Sequence, residues 1–292
     1  MRIKWRLHES QEERWEKEET KKKKQELKAE KKAARQKENR EKKRKKRLMH
    51  EILESNPLLR QKKVICFDLY WTLIKRPNSL KTIKSIFKIF GVEPFKKLHK
   101  VVQTVEKKDV KSKCEEIWLK INKYIMDLFD SHTEKEIDWT VIHEETLEVL
   151  KALKDNWYKL AVISNISEDF EKPFRDLIPD DLFDYKVFSY KEKVMKPDKL
   201  IFERTRNYAN KDGKNNTDST IEYKMEDMIM IWDSLKDDVN WAKNAWMDAI
   251  LLDRGWSEIS FNKEKNIIKI NTLRSLYDIF WIERPTNLKE AS

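Results

Sequence analysis

The chain is poor in several things at once. It has two cysteines, Cys66 and Cys114, in 292 residues. That is too few for a disulfide framework and points to a reducing compartment. No run approaches the ~18 apolar residues of a membrane span, and the opening MRIKWRLHES has no apolar signal region. The expectation is a soluble, cytoplasmic protein. Glycine is scarcest of all. There are 3 glycines, where average usage would give roughly 20. Tryptophan is abundant instead, with 11 residues.

Net positive charge is high overall but almost absent from the body of the chain. The net charge is +11, with 63 Lys/Arg against 52 Asp/Glu. Residues 1–60 alone hold 22 Lys/Arg and 12 Asp/Glu, so ten of the eleven net charges sit there. This segment has no apolar periodicity, and without an apolar face it cannot join a core. A frayed, solvated helix or disorder is expected. Its block EKKRKKR (41–47) could touch RNA by counterion release, although a merely solvated charge run is the simpler reading.

From Lys62 the pattern changes. Short apolar runs alternate with helical segments: KVICF (63–67), KLAVI (159–163), YKVF (185–188), MIMI (228–231), DAILL (248–252) and IIKI (267–270). Continuous apolar runs separated by helices imply parallel strands covered on both faces. The fold class is therefore α/β, a Rossmann-like doubly wound parallel sheet. Between the first two strands, SLKTIKSIFKIFG (79–91) and CEEIWLKINKYIMDLF (114–129) show helical apolar faces and predict an inserted all-helical cap. Trp118, and Trp281 further on, fall in apolar helical patterns. TLEVLKALK (146–154) predicts the helix that returns to the sheet. The expected organisation is a charged tail over 1–60, a core over 61–77 and 145–275, a helical cap over 78–144, and a C-terminal tail over 276–292.

Three predicted strands end in residues able to do chemistry. The first ends at Asp68, the second at Ser164 and Asn165, and MIMI leads to Asp233. In an open parallel sheet the carboxyl ends of the strands share one edge, and ligands bind there. A carboxylate at such an end, with the Thr72 hydroxyl close by, is a nucleophile arrangement.

Four motifs occur in order: Asp68-Leu69-Tyr70-Trp71-Thr72-Leu73; the Ser164-Asn165 of VISN; Lys196-Pro197-Asp198 followed by Leu200-Ile201-Phe202; and Asp233-Ser234-Leu235-Lys236-Asp237-Asp238. Together they resemble the haloacid dehalogenase-like superfamily over residues 62–275. The resemblance implies that Asp68 forms a covalent aspartyl intermediate. Ser164 and Thr72 would hold the oxygens of the transferred group, with Asn165 beside them. Lys196 would neutralise charge on Asp68 and that group. Mg²⁺ would be bound by Asp68, the Tyr70 carbonyl and Asp233, with Asp238 steadying the metal water or Lys196. The expected activity is phosphomonoester hydrolysis of a small phosphorylated molecule.

Two departures bear on this. The family's phosphatases carry Asp two residues after the nucleophile as acid–base for the leaving group. Here that residue is Tyr70, as in 2-haloacid dehalogenases, whose halide leaves without a proton. Dehalogenases, however, usually lack the first acid of the fourth motif, which this chain keeps. A third reading is a catalytically silent adaptor reaching RNA through its basic tail. The second departure is tryptophan. Trp71, Trp157, Trp232, Trp241 and Trp246 all stand where the family pattern has glycine. Five such coincidences point to UGA codons that some bacteria read as glycine, and the glycine shortage and lysine richness agree with an AT-rich genome. Genuine indoles at 71 and 232 would crowd the nucleophile and metal loops and predict a weak or inactive hydrolase.

Overall fold

A computed structural model describes residues 11–76, 92–120, 122–215, 222–234, 247–256 and 258–284. The chain divides into two compact units, Met1–Glu51 and Ile52–Ser292. The first is carried by one helix, α1 (Gln11–Ser55), whose side chains are almost all exposed. Glu and Lys favour helix, and pairs such as Lys23–Glu19 and Lys42–Glu38 bridge successive turns.

The second unit is built on a seven-stranded sheet. Its strands are β1 (Val64–Phe67), β4 (Lys159–Ser164), β5 (Tyr185–Phe188), β6 (Met228–Trp232), β7 (Asp248–Leu252), β8 (Ser260–Asn262) and β9 (Ile267–Ile270). The order is β5-β4-β1-β6-β7-β9-β8, and every pairing is parallel except β8–β9. All four residues of β1 and all five of β6 are buried. That explains why these strands read as unbroken apolar runs rather than as alternation. All six apolar runs of the sequence are strands. The edge strand β8 was not expected, and neither was a small antiparallel pair, β2 (Ile74–Lys75) with β3 (Val141–Ile142).

Helices cover the sheet. They are α5 (Thr146–Asp155), α6 (Lys172–Leu177), α7 (Ser189–Glu192), α8 (Lys199–Asn215) and α9 (Leu276–Phe280). Helix α5 coincides with the predicted TLEVLKALK. Residues 276–282, expected to lie in a tail, instead form α9 and bury Leu276, Tyr277, Ile279, Phe280 and Ile282. Their i, i+3 apolar spacing places them on the core.

Between β2 and β3 lie α2 (Val92–Val102), α3 (Val110–Glu116) and α4 (Lys123–Asp138). Leu98, Val101, Val102, Val110, Cys114 and Leu119 form a small core of their own. The single helix expected over 114–129 is broken. Helix α3 stops at Glu116, and Trp118 adopts φ 57° with its side chain 92% exposed. Trp281 likewise is not a packed helical residue: it has φ 56° and is 75% exposed. The predicted helix over 79–91 lies outside the described residues. No described helix is long and apolar enough to cross a membrane.

Candidate active site

Strand register brings the predicted residues together. Phe67 pairs with Val162 of β4 and with Ile231 of β6. Asp68 is the next residue, and Ser164 and Asp233 both lie one step further along the same edge. Asp68 is fixed there by its backbone N–H, which donates to the Ile231 carbonyl at 2.9 Å.

Lys196 arrives from the loop after α7. Its ammonium donates to Asp68 Oδ1 at 2.8 Å, with the lysine side chain 6% and the aspartate side chain 18% exposed. A buried ammonium needs such a partner. Asn165 aims it: Asn165 Nδ2 donates to the Lys196 carbonyl at 2.8 Å, and the Lys196 N–H donates to Asn165 Oδ1 at 2.7 Å. Asn165 thus acts as a two-point fork on the Lys196 backbone rather than as a free side chain facing a ligand. Ser164 is buried at the β4 end. Thr72 is fully buried, and its hydroxyl has no hydrogen-bond partner among the described residues.

The electrostatics single out Asp233. Burial, and then the neighbouring Asp68 carboxylate, push its carboxyl up to about 6, against the opposing charges of Lys196 and Arg254. Two carboxylates on adjacent strand ends therefore repel each other across one edge. An all-oxygen, anionic pair of this kind suits a hard divalent cation. Among the described residues no cluster of three or more His, Cys, Asp or Glu forms a metal site. Asp238 lies outside the described residues.

Tyr70 is buried between Phe170 and Arg76. Its phenol donates to the Phe170 carbonyl at 3.3 Å, its ring meets Phe170 edge-on at 5.7 Å, and the Arg76 guanidinium lies over the ring at 4.4 Å. Burial raises its pKa, so the group stays neutral.

Sequence reasoning missed a supporting set. Arg254 donates through Nη2 to the Thr72 carbonyl at 2.8 Å and through Nη1 to Glu145 Oε1. Glu145 also accepts from Thr272 Oγ1 at 3.1 Å and the Leu273 N–H at 3.4 Å. Burial pushes the Glu145 carboxyl up, but Arg254 and the backbone donors outweigh it and hold the carboxyl at about 2. Beside it the His143 imidazole is lowered to about 4, first by burial and then by the Arg254 charge. From the inserted helices, Gln103 Nε2 donates to the Asn165 carbonyl at 3.2 Å. The signal for Arg254 was available: it lies two residues past the end of the DAILL strand, at the same sheet edge as the other site residues.

A mostly parallel sheet of this strand order is a Rossmann-like fold, and its carboxyl edge carries an ammonium-paired carboxylate. The family model for haloacid dehalogenase-like hydrolases matches residues 65–252, and the chain belongs to that family. No curated protein matches it. Solved structures similar to it include a HAD phosphatase from Thermococcus onnurineus, at 19% identity over 76% of this chain and 100% of that one, TM-score 0.48. A 2-haloacid dehalogenase from Pseudomonas syringae is 18% identical over 75% and 98%, TM-score 0.48. A HAD family enzyme from Bacteroides thetaiotaomicron, in complex with magnesium and inorganic phosphate, is 17% identical over 67% and 96%, TM-score 0.44.

Proposed function

We propose that this hydrolase is a Mg²⁺-dependent phosphomonoester phosphatase acting on a small phosphorylated molecule. The observation that carries the reading is the meeting of Asp68 and Asp233 at the ends of the paired strands β1 and β6, where burial and then the Asp68 charge raise Asp233. A halide-displacing enzyme has no use for a second acid there.

Lys196 occupies Oδ1 of Asp68, which leaves Oδ2 to attack phosphorus. A bond forms from Oδ2 to phosphorus as the phosphorus–oxygen bond to the leaving group breaks, the departing oxygen takes a proton from solvent water to leave as the alcohol, and an aspartyl phosphate remains. Water then cleaves that intermediate, releasing phosphate and restoring the carboxylate. Lys196 offsets the charge that gathers during both steps, and its Asn165 fork keeps it in place beforehand. Ser164 and the otherwise unpartnered Thr72 hydroxyl supply donors for phosphoryl oxygens. Mg²⁺, held by Asp68, Asp233 and the Tyr70 carbonyl with help from Asp238, would supply positive charge to the transferring group.

Tyr70 favours a second reading, 2-haloacid dehalogenation. Its neutral phenol is turned to Phe170 and offers no proton to a leaving group, and halide needs none. Phosphate release from a panel of monoesters, with and without Mg²⁺, separates the two. Phosphate release that needs Mg²⁺ and is abolished by Asp68→Asn is the expected result. Release unaffected by Asp68→Asn would overturn the mechanism. Metal-independent chloride release from 2-chloropropionate would establish the second reading.

A further inference from the structure

Backbone conformation carries an inference that side-chain chemistry does not. Six non-glycine residues among those described have φ in the left-handed region: Trp71 (67°), Trp118 (57°), Trp157 (68°), Lys193 (56°), Asn266 (50°) and Trp281 (56°). Four of the eight described tryptophans are in this set, against two of all other non-glycine residues. The expected order is the reverse. Left-handed non-glycine residues are uncommon and mostly Asn, Asp or His, and a bulky side chain there is an outlier. Gly255, meanwhile, is not left-handed.

Three of the four terminate helices in one and the same way. After α3, the Trp118 N–H donates to the Glu115 carbonyl at 3.0 Å and the Leu119 N–H to the Cys114 carbonyl at 2.8 Å. After α5, the Trp157 N–H donates to Lys154 at 2.9 Å and the Tyr158 N–H to Leu153 at 3.2 Å. After α9, the Trp281 N–H donates to the Tyr277 carbonyl, as does the Ile282 N–H at 2.9 Å. The first two are complete Schellman closures, and the third shares their six-to-one bond and left-handed residue. The position each tryptophan fills is the one that glycine ordinarily takes. The apolar pair that accompanies such closures is present too, as Leu119 with Cys114 in one buried cluster.

The indoles meanwhile pack on little. Trp118 and Trp157 are 92% and 93% exposed. Trp281 lies beneath the Arg60 guanidinium at 3.7 Å, a surface contact that does not relax the backbone. Trp71 turns the loop after the nucleophile, its N–H donating to the Ile74 carbonyl. The backbone at all four sites is shaped for a residue without a Cβ.

We propose that residues 71, 118, 157 and 281 are glycine in the protein as its own ribosomes make it, each encoded by a UGA codon read as glycine. Trp118 and Trp281 join the set on backbone geometry, with no family pattern behind them. At position 71 the replacement removes an indole from the loop that follows Asp68.

The test is to sequence the gene at these four codons and to identify the four residues by tandem mass spectrometry of peptides from the protein purified from its source organism. UGA at all four, with glycine in the peptides, is the expected result. A UGG codon at any of the four, or a UGA codon whose peptide carries tryptophan, would overturn it. Neither outcome depends on whether the enzyme is a phosphatase.

Discussion

Trp157 allows the strain argument to be measured on its own. With φ 68° and 93% exposure, the site pays for a left-handed backbone and gains almost nothing from its ring. A residue with a Cβ loses about 1–2 kcal/mol in this conformation. Glycine removes that cost but widens the unfolded ensemble, which returns about 0.4–1 kcal/mol. In the chain made with tryptophan at 157, Trp157→Gly should therefore stabilise by about 0.5–1 kcal/mol. Trp157→Ala keeps the strained Cβ and should change stability by only a few tenths of a kcal/mol at this exposed position. Glycine should thus exceed alanine by about 1 kcal/mol, the opposite of their order inside a helix. Urea unfolding followed by far-ultraviolet circular dichroism reads this directly. With an m-value of about 3 kcal/mol/M, the glycine midpoint should lie about 0.3 M above the alanine midpoint. An alanine variant as stable as the glycine variant would refute the reasoning, because the backbone at 157 would then not be demanding glycine.

Two further outcomes follow from the site. Glu145 has a folded-state pKa of about 2 against an ordinary 4.5, so its contribution is present above about pH 4.5 and fades as pH falls toward 2. After allowance for solvent screening, Glu145→Gln should cost about 2 kcal/mol at pH 7, and the gap should shrink between pH 5 and pH 3. A gap in urea midpoints that stays constant across that range would show that the carboxylate charge is not what Arg254 holds. Tyr70→Phe removes the phenol's hydrogen bonds, to the Phe170 carbonyl and with Thr140, so turnover should stay within about threefold. A loss of about 100-fold or more, the scale of general acid catalysis, would make Tyr70 the proton donor after all.

Most of the sheet was legible because its strands are buried on both faces. The runs YKVF, DAILL and IIKI coincide with β5, β7 and β9, although each carries one charged residue, Lys186, Asp248 or Lys269, at a position that is not fully buried. Shorter pairings escaped. Strands β2 and β3 have two residues each, below any period that a sequence can display. The cap helix was misread for a different reason. Trp118 looks apolar in a one-dimensional pattern, while its backbone closes a helix, so the letter hid the turn. At the site, Asp68, Ser164 and Asp233 were placed on one edge because strand ends and motifs coincide there, and Lys196 was placed by its motif alone. Glu145 and Arg254 were not, because they are 109 residues apart and form no motif. Their pairing exists only once α5 and the β7 end have met. Asn165 was assigned to the substrate, and its side chain bonds the Lys196 backbone at two points, a contact that no motif displays.

The smallest sheet in the molecule sets how the rest can change. The chain leaves the core after Lys75 and returns at Val141, which is its antiparallel partner. The return is pinned by the His143 N–H and the Thr146 hydroxyl, both donating to the Leu73 carbonyl. Everything between is a detour that starts and finishes at one spot. A detour of that kind can change in length while its entry and exit stay fixed, and the Gln103 bond to the Asn165 carbonyl is where it touches a strand end. The gene accordingly keeps the strand-end residues Asp68, Ser164 and Asp233 and the inserted helices in separate stretches.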